Sequence, residues 1–361
     1  MANCVSNLQI EAVQTVMPNK PTDPRLSQRV FISENPDSGK FQRRFHMVLF
    51  YNKASETDSG WMVAGWIRES LGMALVEKPL LAGRLRSKAG EINNDNGDQF
   101  EIVSNDSGVR MIEAKMPMDL DDFLHLKDKT NVEAELVFWD DVHEQNPQYS
   151  PLFYVQVTNF KCGRYSIGIS CSLLIGDPYG MTSFLNRWSK IHVNMVSEAG
   201  APNIPTFFLP NLRKIGCSPT LYSTSNTSNY HVNDTLIFKL PSKFLNLRDD
   251  SLAEKYVEGV EHKFGKKLST KLCLFVRENS EDVKVETFSR EGISPFGSIN
   301  YTGLISASWD DLGLIDSIRF NEENKAVYFS CWIINPGNED LVLITPSFNG
   351  DGKNVIVTVR C

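Results

Sequence analysis

The sequence predicts an α/β fold in two domains, each a mixed sheet with helices. Three observations point to it. Short runs of alternating apolar residues recur along the chain, which is the period of strands packed on one face. Between them lie stretches with apolar residues at steps of three and four, the period of helices. Residues 199–234 interrupt the order with Pro202, Pro205, Pro210 and Pro219 and a Ser/Thr/Asn run at 223–228. That composition reads as an irregular crossover between an N-terminal domain, 1–198, and a C-terminal domain, 235–361.

In chain order, residues 8–16 alternate as a first strand, and 17–40, rich in Pro, Asn, Asp and Ser, read as loop. Phe45–Tyr51 is a strongly apolar strand. Trp61–Val76 is apolar all round, the mark of a buried helix. Pro79–Leu85 turns into a strand, and Asn96-Gly97 carries a hairpin signature before a short strand at Phe100–Val103. Asn105–Ala114 runs from turn to strand, and Asp119–Leu126 is a short acidic helix. Pro151–Phe160, a turn at 161–163 and Tyr165–Ser172 form a hairpin. After the crossover come a strand from Thr235, a helical stretch from Pro241, and an amphipathic helix from Leu252 to Phe264. Residues 306–314 read as loop, and strands at 326–334, 341–346 and 354–359 close the chain. Asn349–Gly352 turns the last pair.

Everything is organised around Tyr165–His192. The first eight residues alternate larger apolar side chains with Ser and Gly, as in a half-buried strand. Gly176, Asp177, Pro178 and Gly180 form a turn cluster. Met181, Phe184, Leu185, Trp188, Ile191 and Met195 then mark one face of a helix. Such a turn is common, and its Asp is ordinarily a matter of geometry.

The joint order of motifs resembles the plant BAHD acyltransferases: Ala82-Gly83-Arg84, Asn105-Asp-Ser-Gly-Val-Arg110, Leu173-Leu-Ile-Gly-Asp177 and Asp311-Leu-Gly-Leu-Ile315. The likeness is closest to the eceriferum branch, whose members act in wax biosynthesis. The resemblance implies two chloramphenicol-acetyltransferase-like domains with a channel between them. It implies acyl-CoA as co-substrate, a small-molecule acceptor, and acyl transfer to a hydroxyl or amine. No bound cofactor is expected. In the family, the general-base His stands where this chain has Leu173, and the Asp at the Asp177 position is structural. Leu has no titratable group and cannot act as a base at any pH. The second family marker keeps Asp311 and Gly313 but lacks its Phe, Trp and final Gly. The segment between the two markers is shorter than usual for the family, so the C-terminal domain is reduced.

Possible substitutes for the lost base are His46, Cys171 and Ser172. The remaining histidines are His125, His143, His192, His231 and His262. His192 lies about 20 Å along the helix from the turn, at 1.5 Å per residue. Each His is better explained as surface or satisfied core, and Cys171 as a packed thiol. Three functions follow: a transferase working by proximity, a non-catalytic acyl or CoA binder in fatty-acid elongation, with an elongase component as partner, or lyase-type chemistry in the same channel.

Composition sets the bounds. The 361 residues suffice for two domains, and the net charge of −7, without long basic runs, argues against nucleic acid. No apolar run approaches the roughly 20 residues of a membrane span, and the first residues do not read as a secretory signal. The seven cysteines form no metal-binding pattern, so free thiols and a cytoplasmic place, with the endoplasmic reticulum surface as a variant, are expected.

Overall fold

The computed structural model describes residues 8–33, 39–53, 60–88, 98–126, 132–198, 234–239, 249–265, 267–278, 282–289, 306–307, 309, 318–320, 324–337, 339–346 and 353–359. Asp311, Gly313, the hairpin turn at Asn96-Gly97 and residues 199–233 of the expected crossover lie outside them. So do His231 and the helical start at Pro241.

Among the described residues the strands are β1 (Gln9–Val16), β2 (Ser27–Ile32), β3 (Arg44–Tyr51), β4 (Arg84–Ser87), β5 (Asp98–Val103), β6 (Val109–Met116), β7 (Phe153–Phe160) and β8 (Tyr165–Ser172). Then follow β9 (Asp234–Lys239), β10 (Lys271–Glu278), β11 (Asp282–Ser289), β12 (Ser306–Ala307), β13 (Ala326–Ile334), β14 (Asp340–Pro346) and β15 (Lys353–Val359). The α-helices are α1 (Gly60–Glu77), α2 (Leu120–Leu124), α3 (Pro178–Glu198) and α4 (Asp249–Phe264).

The strands form two mixed sheets. The six-stranded sheet has the order β1-β6-β7-β8-β3-β13, and the nine-stranded sheet the order β12-β9-β15-β14-β10-β11-β2-β5-β4. Each sheet has parallel pairs, β6–β7 in one and β10–β14 and β11–β2 in the other, among antiparallel neighbours. The α/β class with two mixed sheets is therefore as predicted. Each sheet also takes strands from both halves of the sequence: β13 closes the smaller one beside β3, and β2, β5 and β4 extend the larger one beyond β11.

Several stretches differ from the sequence reading, among them residues 306–307, read as loop, which form the short strand β12. Residues 27–32, read as loop, are β2. Val30 and Ile32 are buried within the sheet, but six residues flanked by Pro, Asn and Asp give too short an alternation to stand out. Strands β10 and β11 were not anticipated. Strand β8, read as half-buried, is buried on both faces. Ile167, Ile169 and Cys171 enter the main core. Gly168, on the other face, meets the Leu136 carbonyl so closely that a β-carbon would collide with it.

One continuous core joins that face of the smaller sheet, α1, α3 and one face of the larger sheet. Helix α4 covers the far face of the larger sheet through Ala253, Tyr256, Val257 and Val260. On the far face of the smaller sheet, Val48 and Phe50 pack with Leu120 and Phe123 of α2 and with Leu136.

The Ala-Gly-Arg and Asn-Asp-Ser-Gly motifs meet in space. Arg84, 6% exposed, donates to the carbonyls of Gly83 at 2.9 Å, Gly108 at 2.7 Å and Ser107 at 3.2 Å. The Gly108 amide returns a bond to the Ala82 carbonyl at 3.0 Å. Asp106, at φ 55, accepts from the Thr22 amide and hydroxyl at 2.9 and 2.6 Å. Burial lowers the Arg84 pKa to about 10, so the group stays charged at neutral pH. Arg84→Ala should lower stability by about 2 kcal/mol, the scale of hydrogen bonds made by one charged group. Urea unfolding reads the loss, and Arg84→Lys, which lacks the planar fork, should restore only part of it.

Candidate active site

The site is the junction of β8 and α3. Strand β8 ends at Ser172, and the chain turns through Leu173, Leu174, Ile175 and Gly176 to Asp177. Asp177 caps α3. Its Oδ1 accepts from the backbone amides of Tyr179 and Gly180, each at 3.0 Å, and Pro178 fills the first helical position, where no amide donor is needed. The other carboxylate oxygen lies 3.5 Å from Nε of Arg277, an ion pair without a hydrogen bond.

Arg277 comes from β10, in the other sheet, and clamps both ends of the turn. Its Nη2 donates to the Leu173 carbonyl at 2.8 Å while Nε faces Asp177. Burial lowers the Arg277 pKa, and the charge of Asp177 opposes that shift. Two further ties hold the turn: the Leu173 amide donates to the Arg43 carbonyl at 3.0 Å, and Gln28 of β2 donates to the Leu174 carbonyl at 3.4 Å. The sequence reading did not find Arg277. A lone Arg ending the buried run Leu272–Val276 was the available signal, because a charge in that position needs a partner.

Leu173 is fully buried in the main core, together with Cys171. Burial pushes the Cys171 thiol up to about 12, so it is protonated at neutral pH and is no nucleophile. Ser172 is on the opposite face, and its hydroxyl accepts from the Leu174 amide at 3.3 Å. His46 also lies on that opposite face, since it pairs in register with Ser170 while Phe45 pairs with Cys171. Its Nε2 is 3.1 Å from Ser170 Oγ, and burial, with the charge of Arg44, holds its pKa well below the usual value. The sheet therefore separates His46 and Ser172 from Leu173 and Cys171. Among the described residues, no Ser–His or Cys–His nucleophile pair forms around Leu173.

His192 shares the core with Leu173, but its ring is committed elsewhere. Its Nδ1 is 2.9 Å from Ser70 Oγ of α1, which also accepts from Trp188 Nε1 at 2.9 Å, and the ring bonds the Phe320 backbone. Burial lowers its pKa to about 4. A His neutral when folded and ordinary when unfolded gives stability that is full above about pH 6.5. That stability is lost as pH falls from there to about 4. On the order of 3 kcal/mol should disappear over this window, with His46 adding to the same trend. Acid unfolding curves should be shallower for His192→Gln; an unchanged slope would contradict the assignment. His125, His143 and His262 are exposed. Among the described residues no group of three or more His, Cys, Asp or Glu side chains is placed to hold a metal ion, and no helix is long and apolar enough to cross a membrane.

This arrangement can hold a turn and a helix N-terminus rigidly between two sheets. Leu173 itself offers no group for proton transfer.

Residues 7–204, more than half of the chain, match the model of the Transferase family. A hydroxycinnamoyltransferase of Narcissus pseudonarcissus is 30% identical over 257 residues, covering 66% of this chain and 55% of the relative. Hydroxycinnamoyl-CoA:piscidic acid hydroxycinnamoyltransferase of Actaea racemosa is 31% identical over 177 residues, 48% of this chain and 36% of the relative. Protein ECERIFERUM 26 of Arabidopsis thaliana is 35% identical over 176 residues, 44% of this chain and 40% of the relative. The chain thus spans about a third to a half of the length of these relatives. Among solved structures, vinorine synthase aligns over 98% of this chain and 94% of its own, at 16% identity and a TM-score of 0.47, too loose a likeness to carry an argument. The match over residues 7–204 places the chain in the Transferase family, the BAHD acyltransferases.

Proposed function

We propose that this protein keeps the acyl-CoA-handling scaffold of its family and has given up His-based general-base catalysis. Its main role on this reading is to bind an acyl-CoA, with acyl transfer to a small-molecule acceptor proceeding slowly, by proximity alone. The observation that carries the reading is Leu173, fully buried at the family's base position, with His46 on the other side of the sheet and His192 bonded to Ser70. Asp177 and Arg277 hold the turn around it, which supports a preserved local scaffold. Two relatives carry CoA-dependent acyl transfer in their names, which supports acyl-CoA as the ligand. Asp177 takes a structural role on this reading.

Titration calorimetry with a series of acyl-CoAs tests this. Saturable binding that strengthens with acyl length is expected, by up to about 0.8 kcal/mol per buried methylene. Absence of binding to every acyl-CoA would overturn the reading.

A second reading rests on the likeness to ECERIFERUM 26 and ECERIFERUM 2, at 35% and 30% identity. The chain would then act as an accessory of a fatty-acid elongase in wax biosynthesis, in the cytoplasm. Co-purification with an elongase component, retained in Leu173→Ala, would favour it.

A further inference from the structure

On the face of the smaller sheet turned away from Leu173, Arg44 sits in a second polar cluster. It is fully buried. Its Nε donates to Ser170 Oγ at 2.6 Å and its Nη2 to the Leu152 carbonyl at 2.9 Å. Its Nη1 is buried and has no hydrogen-bond acceptor, and no carboxylate among the described residues forms an ion pair with the group. The rings of Tyr154 and Trp139 flank it, with centroids 5.0 and 5.6 Å from the guanidinium carbon.

Burying an unpaired cation is costly, and contact with the faces of desolvated rings offsets only part of that cost. The other titratable groups near the cluster do not close the gap. His46, sharing Ser170 Oγ, stays neutral and brings no counter-charge. Asp140 and Asp141 attract Arg44 at longer range, but burial outweighs them, and Arg110 acts on Tyr154 and Asp140 with the same sign as Arg44.

We propose that Arg44 Nη1, in the cluster with His46, Ser170, Trp139 and Tyr154, is the donor of a binding site for one small monovalent anion of the halide class. Size and shape restrict the ligand. One free nitrogen between two aromatic rings suits a small spherical ion better than the fork of a carboxylate or phosphate. The bound ion would fix Arg44 and, through it, Ser170 on β8, the strand that delivers Leu173 to the candidate active site.

The test uses the full chain. Thermal unfolding is followed in sodium chloride and sodium bromide against sodium gluconate at equal ionic strength, for wild type, Arg44→Met and Asp140→Asn. Bromide-soaked crystals are examined by anomalous diffraction. The expected result is a saturable rise in wild-type Tm with halide over gluconate, following RT ln(1 + [L]/Kd). Arg44→Met should lose the halide-dependent rise, and Asp140→Asn should keep it. A bromide peak should lie beside Nη1. If Arg44→Met does not fold, the wild-type salt comparison and the bromide map decide alone. Equal melting in halide and gluconate, a rise that persists in Arg44→Met, or bromide at surface positions (an adventitious ion only) would each overturn the proposal.

Discussion

Asp177→Ala should lower stability by about 4–6 kcal/mol, far more than it alters any acyl-CoA binding. The substitution removes two amide bonds at the N-terminus of α3, a cap worth about 1 kcal/mol. The larger part comes from Arg277. That guanidinium is buried and its charge partner is Asp177; without it an uncompensated ion stays inside, which typically costs about 3–5 kcal/mol. Two further variants separate these parts. Asp177→Asn keeps an acceptor for the cap but loses the charge, so it should fall between wild type and Asp177→Ala. Asp177→Ala with Arg277→Met removes both charges and should be more stable than Asp177→Ala alone. Urea unfolding measures all three. A single mutant within about 0.5 kcal/mol of wild type would show that the turn does not depend on Asp177.

Leu173→His carries the largest expected change in rate. A general base in that position contributes roughly 10²–10⁴-fold to acyl transfer. If the scaffold still aligns donor and acceptor, restoring an imidazole should raise CoA release from an acyl-CoA and an alcohol by a factor in that range. The variant should fold, with some loss. Leu173 packs in the main core, so an imidazole there is expected to lower stability by about 1–3 kcal/mol unless it finds a partner. Cys171→Ala and His46→Ala provide controls. Neither is expected to change CoA release, because the thiol is held protonated and the imidazole lies across the sheet. A rate unchanged in Leu173→His, with folding intact, would mean that the site no longer aligns the reactants.

Much of this architecture was legible in the sequence, for physical reasons that differ from element to element. Strands β3, β7 and β8 bury both faces or nearly so, and long apolar or alternating runs announce them. Helix α3 keeps a regular apolar face, and its Asp-Pro start is a capping pattern. Strand β2 was hidden because Val30 and Ile32 gain their burial from β11 and β5, partners distant in sequence. The main features of the site were visible in part. Leu173 and Asp177 stand out from motif spacing. Arg277 does not, because its meaning comes from contacts with residues about a hundred positions earlier, made by strand order alone. The Ser70–His192–Trp188 group was equally invisible: Ser70 sits in an apolar helix and acquires its role only when α1 meets α3. The likeness of Arg84 to a family motif could be read, while its three carbonyl bonds could not.

The central claim is that the chain lacks a working general base at Leu173. Steady-state CoA release by the purified wild-type protein, across a panel of acyl-CoAs with alcohol and amine acceptors, addresses it most directly. The account predicts release at or near the rate without protein for alcohols, and slow release at most for amines, which need less help with proton removal. Turnover of a few per second or more with an alcohol, within the ordinary range of enzymes, would contradict it and would mean that another group has taken over the missing imidazole's part.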